Sequence, residues 1–280
     1  MSASSTNNFY RRQPKTRRLS KKIFIILGLL VVVGLIEMAA IAWKLGQKDT
    51  EQQGAKLNSG SNSRAAAPSF NKARYPIDKA GSVWVVVNKG RVLPSDYTPD
   101  LVVPTIALRL GAGAEESHIS ANAAVPMGQM FAAAAKAGAP LRIASGYRSY
   151  DTQAAIFANE VKSYGLAKAE SESAHPGHSE HQTGLAADLE PLDRSCEIAD
   201  CFADTPAGKW LADNSYKYGF ILRYPKGKDG QTGYRYEPWH YRYVGKDLAA
   251  EIHKNGQTLE QFFGLPVFTS YPAQSLKLKD

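Results

Sequence analysis

Two short segments, far apart in the chain, each combine a histidine with a carboxylate. The first contains His181 and Asp188, and the second contains Glu237 and His240. Two histidines and one aspartate can hold Zn²⁺ while leaving a fourth position open for water, which is the arrangement of a catalytic zinc site. The remaining carboxylate would then be free to take a proton from that water. This hypothesis constrains the fold, because both segments must reach one point.

Positive charge is concentrated at the start of the chain. The sequence has 34 Lys and Arg residues against 26 Asp and Glu residues, a net charge of +8. Residues 1–22 hold seven of the basic residues and no acidic ones, which leaves 27 basic against 26 acidic residues elsewhere. The charge therefore indicates a basic cytoplasmic tail at residues 1–22 and no nucleic-acid partner.

An apolar run follows this tail at residues 23–43. About 20 residues of helix span the core of a bilayer, and flanking Lys and Arg residues stay on the cytoplasmic side. We therefore expect one transmembrane helix at residues 23–43, in a single-pass protein of the cell membrane with a cytoplasmic N-terminus. The alternative is a cleaved signal peptide, with Ala40-Ile41-Ala42 as the cleavage site. The length of the apolar run favours the anchor, and both interpretations place the rest of the chain outside the cell.

The composition changes again after the apolar run. Residues 44–78 are rich in Gln, Ser, Asn, Gly, Ala and Lys, which is typical of a flexible extracellular linker. We expect the folded domain at residues 79–265 and a C-terminal tail at residues 266–280.

Within the expected domain, segments typical of strands and of helices alternate. The predicted strands are residues 83–87, 141–144, 185–189 and 220–224, with a β-rich segment at 234–244. The predicted helices are residues 126–136, 151–164, 206–218 and 246–254, with a further turn at 258–263. Residues 166–178 and 227–233 are predicted to be loops. This order predicts a single α+β domain.

The two cysteines, Cys196 and Cys201, lie close together in the sequence. No histidine or further cysteine lies near them to complete a zinc site. Outside the cell, a disulfide that closes a small loop is the expected state, and two free thiols are the alternative.

Three of the six histidines, His175, His178 and His181, are spaced by three residues, as ligands on one helix face would be. However, Pro176 and Gly177 lie inside that run and disfavour a helix. We therefore do not predict that these three histidines bind one metal ion together.

The two histidine–carboxylate pairs are each weak signals when taken alone. A loop before the strand at residues 185–189 would let His181 and Asp188 face one point, and Gly184 suits the turn. In a regular strand, Glu237 and His240 would point to opposite faces, so a kink at the intervening proline must bring them together.

Together, however, these residues resemble a known signature. The pattern Ser179-x-His181-x-x-Gly184-x-Ala186-x-Asp188, followed by Glu237-x-x-His240, resembles the paired signature of the VanY-type zinc D-alanyl-D-alanine carboxypeptidases. Further short segments also resemble the family and occur in the same order along the chain: Val87-Asn88-Lys89, Tyr97-x-Pro99, Ser145-Gly146-Tyr147-Arg148-Ser149 with Gln153, Pro176-Gly177, and Gly219-Phe220 with Arg223-Tyr224-Pro225. The resemblance covers residues 82–255. It departs from the family at His178, where an aromatic residue such as Tyr is expected.

The resemblance implies a metal site and a base. His181, Asp188 and His240 are expected to be the ligands of one Zn²⁺, and Glu237 the general base and later acid. The implied fold is a single α+β domain of the D,D-peptidase/hedgehog-like class, with the metal on a central antiparallel sheet flanked by helices.

The resemblance also implies how the substrate is held. Arg148 and Gln153 are expected to bind the terminal carboxylate or the carbonyl oxygen, since the planar donors of Arg match a carboxylate. Glu237 and Arg148 are thus the expected catalytic residues. Ser179 is expected to support the peptide backbone, and Trp239 to form a wall of the pocket.

The expected function is removal of the C-terminal D-Ala from peptidoglycan stem peptides by a membrane-anchored enzyme, through attack of a zinc-bound water. A D-Ala-D-Ala dipeptidase or a peptidoglycan endopeptidase could use the same zinc site, because the sequence does not give the depth of the pocket. A non-catalytic zinc-binding cell-wall module is the third hypothesis. It predicts that the base or the carboxylate clamp is missing, whereas Glu237 and Arg148 are both present.

Overall fold

The computed structural model of the protein describes residues 70–279. The predicted cytoplasmic tail, the predicted transmembrane helix and most of the predicted linker lie outside these residues. Between residues 70 and 279, no helix combines the length and the apolar character needed to cross a membrane.

Short strands alternate with helices along the described chain. The strands are β1 (Arg91–Val92), β2 (Leu101–Val102), β3 (Ile119–Ser120), β4 (Leu141–Ser145), β5 (Ala186–Pro191), β6 (Phe220–Leu222), β7 (His240–Tyr243) and β8 (Leu276–Lys277). The helices are α1 (Ala121–Lys136), α2 (Tyr150–Tyr164), α3 (Leu166–Glu172), α4 (Pro206–Asn214), α5 (Asp229–Thr232), α6 (Lys246–Asn255) and α7 (Leu259–Phe263). Short 3-10 turns lie between them, among them Glu180–Thr183.

The central sheet has four antiparallel strands in the order β4-β5-β7-β6. In its middle pair, Asp188 of β5 lies directly opposite His240 of β7. Two smaller pairs accompany the sheet, β2 with β3 and β1 with β8. The expected mixed helix-and-sheet domain is confirmed, and its register places two of the predicted ligands side by side.

Helix α1 covers one face of this sheet with an apolar stripe. Ala123, Met127, Met130, Phe131 and Ala134 are buried, at the three- and four-residue spacing of one helix face. The prediction that the helix starts at 126, based on the frequency of proline in a first helical turn, is wrong by five residues. Ala-rich sequence before the proline is helical as well, because its Ala123 packs into the core.

The predicted strand at residues 83–87 is not a strand. Val85, Val86 and Val87 are fully inaccessible, whereas Val83 and Trp84 are half-buried. The carbonyl of Val86 instead accepts a hydrogen bond from Arg91 Nε at 2.8 Å, and that of Val85 accepts one from Arg242 Nη2 at 2.7 Å. Arginine side chains therefore satisfy a backbone that the hydrophobic pattern assigned to a sheet.

Two predicted loops contain helices. Residues 166–178 include α3, whose Ala169 is buried and whose surface carries a Lys168–Glu172 ion pair of 2.6 Å. This pair has the i,i+4 spacing that stabilises helices. Residues 227–233 include the single turn of α5. In both cases the glycines and polar residues mark the ends of a short helix.

The domain extends beyond the predicted limits at both ends. Phe70, in the predicted linker, packs edge-on against Phe262 of the domain with ring centroids 5.3 Å apart. In the predicted C-terminal tail, β8 pairs in parallel with β1, and Leu278 is buried. The limits of 79 and 265 are therefore corrected to include the described residues on either side.

Gly184 closes the turn that carries His181, and its substitution tests this local geometry. Its φ is +63°, and an added Cβ would lie 2.8 Å from the backbone nitrogen of Ser120. Gly256 has nearly the same φ, +62°, with no atom within 4 Å of an added Cβ. We expect Gly256→Ala to lower the free energy of unfolding by about 1 kcal/mol, the cost of left-handed backbone. Gly184→Ala should cost about 3 kcal/mol, because overlap adds to that cost. Urea unfolding measures both, and equal losses would contradict the role of the close contact.

Candidate active site

His181 is fixed by the short turn that contains it. The hydroxyl of Ser179 accepts a hydrogen bond from the His181 backbone N–H at 3.3 Å, which caps the turn. The Nδ1 atom of the His181 ring lies 2.6 Å from the carbonyl oxygen of Gly146, to which it donates. This contact leaves Nε2 as the nitrogen that could bind a metal, and a backbone carbonyl is a common partner for the second nitrogen of a metal-binding histidine.

The other two predicted ligands complete a compact group. Oδ2 of Asp188 lies 3.4 Å from His181 Nε2, and its Oδ1 lies 3.3 Å from His240 Nδ1. Each of the three residues offers one possible metal-ligand atom, and these three atoms lie within 4.8 Å of one another. Oδ1 of Asp188 is buried and has no hydrogen-bond partner among the described residues. Two imidazole nitrogens and a carboxylate oxygen with a spare lone pair fit a zinc ion.

Glu237 reaches the same point through a turn. The His240 N–H donates to the Glu237 carbonyl at 3.1 Å, which closes a turn around Pro238. The expected kink at this proline is therefore present. Oε2 of Glu237 lies 3.6 Å from His240 Nδ1, so this carboxylate stands beside the three-residue group.

The electrostatics of the group favour a cation. Burial alone would raise the pKa of Asp188, but the imidazoles of His181 and His240 hold it well below its ordinary value. Burial lowers the pKa of His181, with a further contribution from Arg148. Burial would also lower the pKa of His240, but Asp188 and the neighbouring carboxylates raise it to about 9. An ionised Asp188 and a neutral His181 are the forms that bind metals, and the field that holds a proton on His240 would also attract a metal ion.

Burial gives Glu237 unusual acid–base properties. It raises the pKa of this carboxyl to about 7, while His240 acts in the opposite direction and Asp188 adds to the rise. A group that titrates near neutral pH can both accept and return a proton efficiently.

Arg148 and Gln153 are held beside the predicted ligands. The backbone N–H of Arg148 donates to the His181 carbonyl at 3.2 Å, and the side-chain Nη1 of Arg148 donates to Gln153 Oε1 at 2.9 Å. Its Nη2 lies 3.5 Å from Asp188 Oδ2. Gln153 is anchored in turn by its Nε2, which donates to the Ala174 carbonyl at 2.8 Å. In the described part of the chain, Arg148 Nε is buried without a partner, so a donor is available for a ligand.

A cleft opens over these residues. Ser179 and Trp239, both predicted to contact the substrate, lie in its wall. Residues to which the sequence analysis gave no role in the site also line it: Ile156, Glu160, Glu172, Ser173, Ala174, Glu180, Ile198, Tyr224 and Tyr234. Loops and distant helices supply most of them, so their positions follow from the tertiary fold rather than from any local pattern.

A disulfide joins Cys196 to Cys201 and shapes one side of the cleft. Within this loop, Ile198 has a φ of +36°, which is rare for a β-branched residue, and it lines the cleft. The loop is also tied to the segment that precedes Glu237, because Asp200 pairs with Arg235 at 2.5 Å. The cysteine spacing indicated the loop but not its place at the cleft.

The histidines at 175 and 178 stand apart from this group. His178 Nδ1 donates to the carbonyl of Asn88 at 2.8 Å, and His175 stacks on Tyr271 with centroids 3.6 Å apart. Their exclusion from the predicted ligand set agrees with this geometry.

Comparisons with known proteins gave consistent matches. The family model for VanY, described as D-alanyl-D-alanine carboxypeptidase, matches residues 116–246. The putative carboxypeptidase YodJ of Bacillus subtilis (strain 168) is 44% identical over 226 residues, which cover 77% of this chain and 83% of the relative.

Two solved structures of peptidases are also similar. The LdcB LD-carboxypeptidase is 47% identical with a TM-score of 0.64, and the match covers 66% of this chain and 87% of that one. A variant of the vancomycin resistance D,D-pentapeptidase VanY, in complex with Zn(II), is 34% identical with a TM-score of 0.54. That match covers 64% of this chain and 97% of the other.

Proposed function

The chain belongs to the VanY family of D-alanyl-D-alanine carboxypeptidases, and from this premise we propose that it removes the C-terminal D-Ala from peptidoglycan stem peptides with one zinc ion. The proposed ligands are His181, Asp188 and His240. The observation that carries the proposal is their convergence within 4.8 Å, next to the carboxylate of Glu237 that is not needed as a ligand.

Each remaining group then has a part in hydrolysis. Zinc, when bound, polarises a scissile carbonyl and lowers the pKa of water. The Glu237 carboxylate lies beside the ligands and lines the cleft, so it can accept a proton from the attacking water and return it to the leaving amine. Trp239 and Ser179 line the same cleft and would position the peptide.

Arg148 explains why the enzyme would act at a chain end. Its buried Nε lacks a partner within residues 70–279, while its Nη1 donates to Gln153 and its backbone N–H donates to the carbonyl of His181. A planar guanidinium in this state matches the α-carboxylate that the C-terminal residue of a peptide carries.

Arg148→Lys is expected to lower kcat/KM for a peptide with a free C-terminus by about 10²-fold, because hydrogen bonds to charged groups contribute about 1.5–3 kcal/mol. The same peptide with a C-terminal amide should be a poor substrate for both proteins, since it lacks the anion. Steady-state kinetics on the two peptides measure this discrimination. Arg194→Lys, at an exposed arginine, is the control and should change neither value. Unaltered discrimination in Arg148→Lys would refute the carboxylate clamp.

A second candidate is an L,D-carboxypeptidase. The observation in its favour is the similarity to the LdcB LD-carboxypeptidase, which exceeds the similarity to the D,D-pentapeptidase in both identity and TM-score. Both reactions release a terminal D-Ala, and they differ in the chirality of the residue before it. The proposed zinc ligands and base serve either reaction.

Product analysis distinguishes these functions. Purified protein is incubated with a stem pentapeptide, a stem tetrapeptide and free D-Ala-D-Ala, and the products are identified by mass spectrometry. Conversion of pentapeptide to tetrapeptide is expected for the D,D-carboxypeptidase, and conversion of tetrapeptide to tripeptide for the L,D-enzyme. Cleavage of D-Ala-D-Ala would indicate a dipeptidase, and cleavage of cross-linked peptides an endopeptidase. No release of any product would refute the proposed peptidase function.

We also propose that residues 23–43 anchor the protein in the cell membrane, with the domain outside the cell. The support is the length of the apolar run and the basic residues before it. The full chain should stay in the membrane fraction after an alkaline wash, and a variant lacking residues 1–43 should be recovered in the soluble fraction. Release of the full chain by the wash would contradict the anchor.

A further inference from the structure

Glu180 is a buried carboxylate with one satisfied and one unsatisfied oxygen. Its Oε1 accepts hydrogen bonds from Arg223 Nε at 2.8 Å and from Arg242 Nη1 at 2.7 Å. Its Oε2 is buried and, over the described range, has no hydrogen-bond partner. This second oxygen lies 3.7 Å from His240 Nε2.

His240 Nε2 is in the same condition. It too is buried without a partner among residues 70–279. A donor and an acceptor left unpaired in the interior are each costly, and here they face one another. A shift of roughly 0.7 Å would bring the two atoms to hydrogen-bond distance, so a small adjustment satisfies both.

The position of His240 Nδ1 indicates that Nε2 needs a hydrogen-bond acceptor when a metal is bound. His240 Nδ1 faces Asp188 Oδ1 at 3.3 Å and Glu237 Oε2 at 3.6 Å, so Nδ1 is the atom that would bind a metal. A neutral imidazole that binds through Nδ1 must carry its proton on Nε2. That proton points to the side of the ring where Glu180 lies.

We propose that Glu180 is a positioning residue, which accepts a hydrogen bond from His240 Nε2 and thereby fixes the tautomer and the orientation of this ligand for zinc. The proposal rests on the zinc site of the proposed function. Carboxylates that hold the second nitrogen of a ligating histidine raise the basicity of the ligand, and their loss typically lowers metal affinity 10- to 100-fold.

The surroundings of Glu180 suit it to this role. Arg223 is itself held by Glu260, with contacts of 2.6 and 3.0 Å. Arg242 also donates to the backbone carbonyls of Val83 at 3.1 Å and Val85 at 2.7 Å. The two arginines, each anchored elsewhere, leave the carboxylate little freedom to turn away from the ring.

The competing explanation is that Glu180 only balances the charge of two buried arginines. Glu260 provides the matched control, because it is equally buried and pairs with Arg223. Its other contact is Asn88, whose Nδ2 donates to Glu260 Oε1 at 3.0 Å. Loss of either carboxylate disturbs the arginine pair, but only Glu180 is placed against His240.

The experiment compares Glu180→Gln with Glu260→Gln in the full chain. Zinc affinity is measured by competition with a chromophoric chelator, and thermal unfolding is followed on the same samples. We expect Glu180→Gln to weaken zinc affinity about tenfold or more and Glu260→Gln to change it less than threefold, with similar losses of Tm. Equal changes in zinc affinity, or none in either variant, would overturn the positioning role.

Glu180→Asp keeps the negative charge beside the arginines and shortens the side chain by one methylene. It therefore preserves the charge balance while withdrawing the carboxylate from His240, and it should also weaken zinc affinity. Wild-type affinity in this variant would overturn the proposal even if Glu180→Gln failed to fold. Absence of zinc binding in the wild-type protein would refute the proposed function itself, so the two failures give different results.

Discussion

Glu237→Gln is expected to lower kcat for D-Ala release by about 10³-fold, the size of effect typical for loss of a general acid–base group, while one zinc ion per chain stays bound. The amide keeps the shape of the side chain but cannot take a proton from water. The carboxylate lies 3.6 Å from His240 Nδ1, yet His181, Asp188 and His240 form the convergent group without it. Single-turnover kinetics and metal analysis of the same sample test both parts.

Glu251→Gln is the control for this substitution. Glu251 lies on α6, where it accepts a hydrogen bond from Asn255 at 2.9 Å, and it does not line the described cleft. Its substitution should leave kcat unchanged. If Glu237→Gln retained wild-type kcat, another group would have to move the proton. If it lost zinc together with activity, Glu237 would act in metal binding instead.

Each half of the candidate site could be recognised in the sequence, because its residue types and spacing are local. His181 precedes a strand that carries Asp188, and a turn at Pro238 separates Glu237 from the start of another strand. Residue types and short spacings mark each pair only weakly, and the resemblance to a family combined the two pairs into one site. The antiparallel register that places Asp188 opposite His240 is not local, and the resemblance implied only that both residues bind one metal on an antiparallel sheet.

Glu180 shows what local reasoning misses. In the sequence it is the position between Ser179 and His181 that the motif leaves unspecified, and a charged residue is normally expected at the surface. In the structure it is buried against Arg223 and Arg242, which lie 43 and 62 residues further along the chain. Nothing in the sequence near Glu180 indicates those partners, so its place behind His240 could only be seen in three dimensions.

Partners that are distant in the sequence also explain why some predicted elements of the fold were wrong. Burial was correctly predicted from the apolar residues at 85–87, but arginine side chains rather than a neighbouring strand satisfy that backbone. The strand β8 is two residues long and pairs with β1, far away in the sequence. Hydrophobic periodicity detects which residues are buried, and it does not detect which partner a backbone finds.

Removal of the metal should abolish activity completely, and Asp188→Asn should prevent its recovery. Asp188 contacts both proposed histidine ligands, at 3.4 Å to His181 and 3.3 Å to His240, and an amide supplies no negative charge to the ion. We expect chelator-treated wild-type protein to regain D-Ala release and thermal stability with excess zinc, since free zinc at 1,000 times its Kd stabilises a native state by about 4 kcal/mol. Asp188→Asn should show neither response, with zinc affinity reduced at least about 10²-fold.

The control for this experiment is Asp193→Asn. Asp193 lies five residues beyond the proposed ligand and is exposed, where its carboxylate accepts a hydrogen bond from the Ser195 N–H at 3.0 Å. This variant should recover with zinc like the wild type, because an exposed carboxylate outside the convergent group contributes nothing to binding the ion. Recovery of Asp188→Asn at the same zinc concentration would remove the aspartate from the ligand set. Full activity of the wild type in chelator would exclude a metal-dependent reaction, because the peptide would then be hydrolysed without the ion that the two histidines and the carboxylate are proposed to bind.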